Sequence, residues 1–149
     1  EDAAHEVLPQ QVLPVVLFYS AQLQFDHAEY GAYLTQTLTT GGRNQTSSFA
    51  YKSGWGDFLT MNRHPQWRRH FYDIGVNAKG IIDEAHEAQA WNLELISRTL
   101  RLMSTQMTTD LFGDMPRSEA YESNSPHYDT QESIYEWMNQ EIEKMVEAE

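Results

Sequence analysis

The residues best suited to binding chemistry lie in an irregular stretch, Gly41–Pro65, which holds four glycines together with several aromatic side chains. Tyr51 and Trp55 could stack on the C–H face of a sugar ring, and Arg43 and Asn62 could hydrogen-bond to its hydroxyl groups. A disordered linker would lack these aromatics, so we predict a long ordered loop with a functional role. The candidate ligand contacts are therefore Arg43, Tyr51, Trp55 and Asn62. The alternative is that Trp55 only pins the loop against a helix.

Catalytic and metal sites are weakly supported. Asp83, His86 and Glu87 lie together at a predicted helix end, but a carboxylate-bridged di-iron site would need matching ligands on further helices. The sequence has no Gly-x-Ser-x-Gly elbow, and Thr39–Arg43 lacks the spacing of a phosphate-binding loop. We predict no metal site, no cofactor and no enzymatic activity. A glycosidase stays open as an alternative, because an acidic chain can supply a carboxylate pair.

Composition narrows the range of partners. The 149 residues carry a net charge of −12, which argues against nucleic acid because phosphate binding needs clustered lysines and arginines. The chain has no cysteine, so disulfide frameworks, thiol catalysis and cysteine-type zinc sites are excluded. No apolar run approaches the ~20 residues that a membrane-spanning helix needs.

Apolar residues recur at helical spacing along most of the chain, which predicts an all-α fold. The first helix extends from Leu8 to about Leu38, with the stripe Val12, Val16, Tyr19, Leu23, Tyr30, Tyr33, Leu34 and Leu38. Pro9 suits its first turn, although Pro14 could mark the true start. Further helices are predicted from Pro65 to about His86, from about Trp91 to about Leu111, and from about Thr130 onward.

The second and third of these helices are separated by a short break, Glu87–Ala90, so we expect them to form an antiparallel hairpin. Helix pairs of this length resemble tetratricopeptide units. Most of the aromatics on the helical stripes are interpreted as core residues; the six are Trp67, Phe71, Tyr72, Trp91, Tyr135 and Trp137.

The segment between the last two helices contains residues that end one helix and begin the next. Gly113 can adopt the left-handed conformation that ends a helix, and Pro116 prevents the helix from resuming. Asp129 or Thr130 can then act as the N-cap of the last helix, with Glu132 or Ser133 nearby. The polar residues of this segment, Asp114 included, are therefore expected to have architectural roles.

This segment also carries a family resemblance. The sequence DLFGDMPRSEAY, followed by SPHYDTQESIYEWMNQEIEKM, resembles the SusD-like (SusD/RagB) family of outer-membrane nutrient-binding lipoproteins. The matching residues are Asp110, Phe112, Gly113, Asp114, Pro116, Ser118, Glu119, Ala120, Pro126, Tyr128, Asp129, Gln131, Ile134 and Tyr135. Upstream, the stretches 67–72 and 81–85 resemble the family's preceding helix. The resemblance covers residues from Trp67 onward well and the first sixty residues only loosely.

The resemblance implies a non-enzymatic, surface-exposed protein that binds oligosaccharide and works with a TonB-dependent outer-membrane transporter. It also implies that residues 1–149 form a single helical domain, the N-terminal portion of a longer protein, with a lipid-anchoring cysteine upstream of residue 1. The family's shared motif contains no ligand contacts, so it does not identify the nutrient. The competing hypothesis is a helical-repeat scaffold whose partner is another protein.

Overall fold

The computed structural model describes residues 8–35, 37 and 65–147, and these are helical apart from short connections. The helices are α1 (Pro9–Leu34), α2 (Pro65–Arg68), a π-helical segment (Arg69–Val76), α3 (Asn77–Glu87), α4 (Trp91–Phe112) and α5 (Gln131–Glu147). Within these ranges no strand occurs, and the predicted all-α fold is confirmed. None of the helices described is long and apolar enough to span a membrane.

Helix α1 begins at Pro9, as one of the two alternatives predicted, and contains Pro14 in its interior. It ends at Leu34, earlier than the predicted Leu38. The Thr35 hydroxyl donates to the Gly31 carbonyl at 2.8 Å, and the Thr37 amide bonds to the Ala32 carbonyl at 2.9 Å. These bonds provide partners for carbonyl oxygens of the last turn, which have no hydrogen-bond donor further along the helix.

The helix predicted from Pro65 to His86 is continuous, but its middle third is wound as a π-helix over Arg69–Val76. A wider winding over eight residues barely changes the apolar periodicity, so the sequence pattern could not reveal it. Gly75 lies in this segment and is buried.

Side-chain contacts show that consecutive helices run antiparallel. Gln66 donates to the Met107 carbonyl at 2.6 Å, and His70 Nδ1 lies 2.8 Å from Ser104 Oγ. Residue numbers therefore increase along one helix while those of the contacting residues decrease along the other. The turn at residues 88–90 closes this hairpin, as predicted. Helix α5 packs back on α4 in the same sense, because Tyr135 contacts Asp110 while Glu141 contacts Arg98.

Helix α4 approaches its neighbours through small polar side chains that are almost fully buried: Ser97, Ser104, Thr105, Thr108 and Thr109. The threonine hydroxyls at 105 and 108 donate to backbone carbonyls four residues earlier, which satisfies them without another partner. Their small volume brings the surrounding helices close to the α4 backbone.

Two apolar clusters form the core. The first joins α1 to the 65–87 helix through Val16, Leu23, Ile74, Ala78 and Ile81, and the second centres on Met115, Ile134 and Met138. The predicted stripe of α1 is confirmed at Val16 and Leu23, with Val12 and Tyr19 packed beside them. The side chains of Tyr30, Tyr33, Leu34 and Leu38 lie outside the described part of the chain.

The prediction that most of the six stripe aromatics are core residues is confirmed, because four of them pack on the core and two are exposed. Tyr72 is 71% exposed and Trp91 is 52% exposed, whereas Trp67, Phe71, Tyr135 and Trp137 pack against the second cluster. Tyr72 lies on the outward side of the π-helical segment, and Trp91 is the first residue of α4. Neither side chain is buried against a neighbouring helix.

Residues 113–130 form the crossing segment between α4 and α5. Met115 and Asp129 pair as an isolated antiparallel bridge, each amide bonding to the other's carbonyl at 3.1 Å. The Asp129 carboxylate accepts the backbone amides of Arg117 and Ser118 at 2.8 and 2.9 Å. The backbone bridge and the two hydrogen bonds to the Asp129 carboxylate therefore fix the entrance and the exit of this segment to each other.

The capping residues are settled by these bonds. Thr130 is the N-cap of α5, since its hydroxyl accepts the Ser133 amide at 3.3 Å, while Asp129 is turned toward the crossing segment. Asp114 accepts the Gln131 amide at 2.9 Å and supplies a second cap from across the segment. Gly113 has the expected positive φ of 76°, but its ψ of −126° lies outside the left-handed helical region that was predicted.

His70 gives this fold a defined acid sensitivity. Burial, reinforced by the charge of Arg101, lowers the pKa of His70 to about 3 from 6.5. Between these pH values the unfolded chain binds more protons than the folded one, so stability falls as the pH drops from 6.5 toward 3. We expect a loss on the order of 4 kcal/mol from this residue.

Urea unfolding at several pH values would measure the effect. His70→Gln, which cannot titrate, should flatten the pH profile in this interval. Ser104→Ala is the matched control, because it removes the partner of His70, costs about 1 kcal/mol and leaves the slope in place. An unchanged slope in His70→Gln would show that the acid sensitivity arises elsewhere.

Candidate functional site

The four residues predicted as ligand contacts, Arg43, Tyr51, Trp55 and Asn62, lie outside the described residues. The structure therefore brings none of them into a described site, and they stay a prediction. Elsewhere in the described ranges, His, Asp and Glu side chains form no group of three or more that could hold a metal ion. His86, considered above with Asp83 and Glu87, hydrogen-bonds to Glu94 at 3.1 Å.

The candidate functional site is an aromatic groove between the 65–87 helix and the crossing segment, with a volume of about 320 Å³. Its walls are mostly apolar, and aromatic rings form much of their surface. One wall comprises Trp67, Phe71, Tyr72 and Val76, and the other comprises Pro116, Ala120, Tyr121 and Pro126. The cavity reaches the lower end of the size range of sites that enclose small molecules.

Trp67 is the fixed aromatic of the groove. Its ring contacts Phe71 at 4.8 Å between centroids and meets Phe112 edge-on at 5.2 Å. Tyr128 stacks near it with an interplanar angle of 22° and is 53% exposed. Together with the exposed Tyr72, these rings offer flat apolar faces with hydroxyl groups at their edges, which is chemistry suited to a sugar ring.

Tyr121 forms the far wall in an unusual backbone conformation. Its φ is +86°, which costs an L-residue on the order of 1–3 kcal/mol and persists only where the surroundings impose it. Burial raises the pKa of Tyr121 to about 12, so its hydroxyl stays protonated under ordinary conditions. The hydroxyl reaches Gly75, where an added Cβ would lie 1.7 Å from it.

Cationic side chains support this wall from behind. The Arg101 guanidinium lies 5.9 Å from the Tyr121 ring centroid and 5.8 Å from that of Trp137. Arg117 of the crossing segment covers the Trp137 ring at 4.9 Å. These cation–π contacts hold the crossing segment against α4 and α5.

The π-helical segment and the strained Tyr121 meet at the same groove. A π-helical segment and a strained residue both cost free energy, so they persist mainly where function requires them and are concentrated at functional sites. Sequence reasoning missed this site, since Tyr72 was only one of the stripe aromatics, most of which were interpreted as core, and Tyr121 carried no signal. Tyr128 was visible within the family motif, although its exposure was not.

Comparison with known proteins identifies the family. A profile of SusD-like proteins, described as starch-binding and associating with the outer membrane, matches residues 11–148. The match spans nearly all of the sequence, including α1, where the resemblance in the motifs was loose. The chain belongs to the SusD-like family.

No curated protein and no solved structure matches this SusD-like chain. The family is one of binding proteins rather than enzymes, and its description places its members at the outer membrane. The groove therefore belongs to a SusD-like protein whose ligand contacts have to be inferred from the residues themselves.

Gly75 provides a direct test of how tightly the groove wall is packed. We expect Gly75→Ala to lower the free energy of unfolding by about 1–3 kcal/mol, because the new methyl group overlaps the Tyr121 hydroxyl. It would also lie 2.6 Å from the His70 carbonyl oxygen, which is backbone and cannot move aside easily.

The matched control is Gly80→Ala in α3, where an added Cβ meets nothing within 4 Å. That variant should be neutral or stabilising by up to about 1 kcal/mol, since alanine favours a helix interior. Chemical denaturation of both variants measures the difference. Equal stability of the two would contradict the close contact between Gly75 and Tyr121.

Proposed function

We propose that this SusD-like protein is a surface-exposed, glycan-binding component of an outer-membrane nutrient-uptake system. The family match over residues 11–148 carries the proposal, because the family is described as starch-binding and associated with the outer membrane. In this role the protein captures oligosaccharide and passes it to a TonB-dependent transporter. A lipid anchor on a cysteine upstream of residue 1 would hold it at the membrane.

The aromatic groove supports the glycan part of the proposal. Tyr72 and Tyr128 are exposed beside Trp67, and large aromatics without burial lose hydrophobic stabilisation unless a ligand covers them. The loop residues Arg43, Tyr51, Trp55 and Asn62 have matching chemistry, and we propose them as further contacts. Trp55 would serve as a stacking platform, and the other three would bind hydroxyl groups.

A protein-binding role is the second candidate. Helix α1 carries exposed apolar side chains, including Val15, Phe18 and Phe25, on its outward side. Exposed apolar surface of this kind typically meets another protein surface. It also supports the proposal that residues 1–149 are the N-terminal helical portion of a longer protein. Co-purification with an outer-membrane transporter would support the uptake role, and its absence would favour an isolated scaffold.

Calorimetric titration against a panel of glycans, starting with α-glucans, tests the binding function. Tyr72→Ala should weaken binding by about tenfold or more if the groove holds the ligand, since one lost aromatic contact costs on the order of 1–3 kcal/mol. Phe25→Ala, an exposed aromatic of α1 outside the groove, is the matched control and should leave the affinity unchanged. If neither the wild-type protein nor any variant binds a glycan of the panel, the glycan role is contradicted.

Trp55→Ala tests the loop separately. We expect a similar tenfold to hundredfold loss of affinity with unchanged folding. Unchanged affinity in a normally folded variant would remove Trp55 from the ligand site. Loss of affinity together with loss of folding would instead favour a packing role for Trp55.

A further inference from the structure

A second cavity, distinct from the aromatic groove, lies where α3 ends, α4 begins and the last turns of α5 pass. Its volume is about 190 Å³. It is lined chiefly by His86, Trp91, Glu94, Arg98, Lys144 and Met145. We refer to it as the Trp91 pocket. It combines one large aromatic ring with several charged groups, a combination that the aromatic groove does not have.

Trp91 is the apolar face of the pocket. Its side chain is 52% exposed, although tryptophan is among the residues that gain most from burial. The His86 ring meets it edge-on at 5.8 Å with an interplanar angle of 73°, which steadies the indole without covering it. An indole face is thus available to a flat apolar ligand surface.

Glu94 is the buried polar group of the pocket. It is only 7% exposed, and its two carboxylate oxygens accept from different partners: Arg98 Nε at 2.8 Å and His86 Nδ1 at 3.1 Å. Burial alone would raise the pKa of Glu94, but hydrogen bonds from Arg98 and His86 outweigh it and the net shift is downward. The carboxylate is therefore charged at neutral pH and retains lone pairs for a hydroxyl donor.

The cations of the pocket are matched by carboxylates. Arg98 continues from Glu94 to Glu141 at 2.8 Å, and Lys144 donates to the same Glu141 at 2.9 Å. An anionic ligand would have to displace one of these ion pairs in a chain of net charge −12. A neutral ligand with hydroxyl groups can use the remaining donors and lone pairs without breaking any pair.

We propose that the Trp91 pocket binds one neutral sugar ring, stacked on Trp91, with hydroxyl groups hydrogen-bonded to Glu94 and Lys144. The pocket is smaller than the about 300–1,000 Å³ of sites for drug-sized ligands, which suits a single ring. This inference rests on the proposed glycan-binding function and adds a second contact point to it. The charged network fixes the polar groups before the ligand arrives, which reduces the cost of ordering them on binding.

The test is calorimetric titration of the protein with maltotriose and maltoheptaose, repeated for three variants. Trp91→Ala should weaken binding by about tenfold or more, whereas Trp91→Tyr should retain most of it because a stacking face is kept. Phe18→Ala, which removes an exposed aromatic from α1, should have no effect. Because Trp91 and Phe18 are both exposed, neither alanine variant is expected to unfold the chain.

A nuclear magnetic resonance titration gives a readout that a purely structural role would not move. The indole N–H signal of Trp91 should shift when maltotriose is added to the wild-type protein. Lys144→Met should weaken binding without changing stability, since Lys144 is largely exposed and exposed ion pairs contribute little. Glucuronic acid should bind more weakly than glucose, and tighter binding would overturn the assignment of a neutral ligand.

The outcomes separate this inference from the proposed function. Wild-type affinity in Trp91→Ala, with no shift of the Trp91 signal, would overturn the inference while glycan binding itself stands. Failure of the wild-type protein to bind either maltotriose or maltoheptaose would overturn the inference, and the proposed function falls with it only if every other glycan of the panel also fails to bind.

Discussion

The Asp129 carboxylate is the contact on which the rest of the described structure depends. It accepts two successive backbone amides, those of Arg117 and Ser118, while its own backbone pairs with Met115. Burial opposes its ionisation, yet these hydrogen bonds lower the pKa of Asp129, so it is charged at neutral pH. A charge-assisted pair of bonds to the main chain is stronger than neutral equivalents and fixes backbone geometry directly.

This constraint determines the shape of the aromatic groove. Because the crossing segment is tied at Asp129, Arg117 can lie over Trp137, and Tyr121 is directed onto Gly75 of the π-helical segment. The strained backbone of Tyr121 is thereby compensated by contacts of its side chain with Gly75, with the Phe71 ring and with the Arg101 guanidinium. A groove wall held in this way changes little on binding, which favours ligands that fit its aromatic surface as it stands.

The sequence was sufficient to predict the helices, because apolar spacing, Gly113, Pro116 and the break at residues 87–90 are local signals. It also led to the correct family through the motif of the crossing segment. It could not predict the groove, since the exposure of Tyr72 and the contact of Tyr121 with Gly75 depend on residues more than forty positions apart. Nor could it predict the exposure of Trp91, because a residue at the first position of a helix can fit an apolar stripe and still face outward.

Amide hydrogen exchange of the intact chain, followed by nuclear magnetic resonance, tests the central constraint most directly. The amides of Arg117 and Ser118 belong to an irregular segment and would ordinarily exchange fast. If the Asp129 carboxylate fixes them, they should exchange at rates close to those of core amides in α4, and Asp129→Ala should release both together. Fast exchange of these two amides in the wild-type protein would contradict a rigid crossing segment and the preformed groove that depends on it.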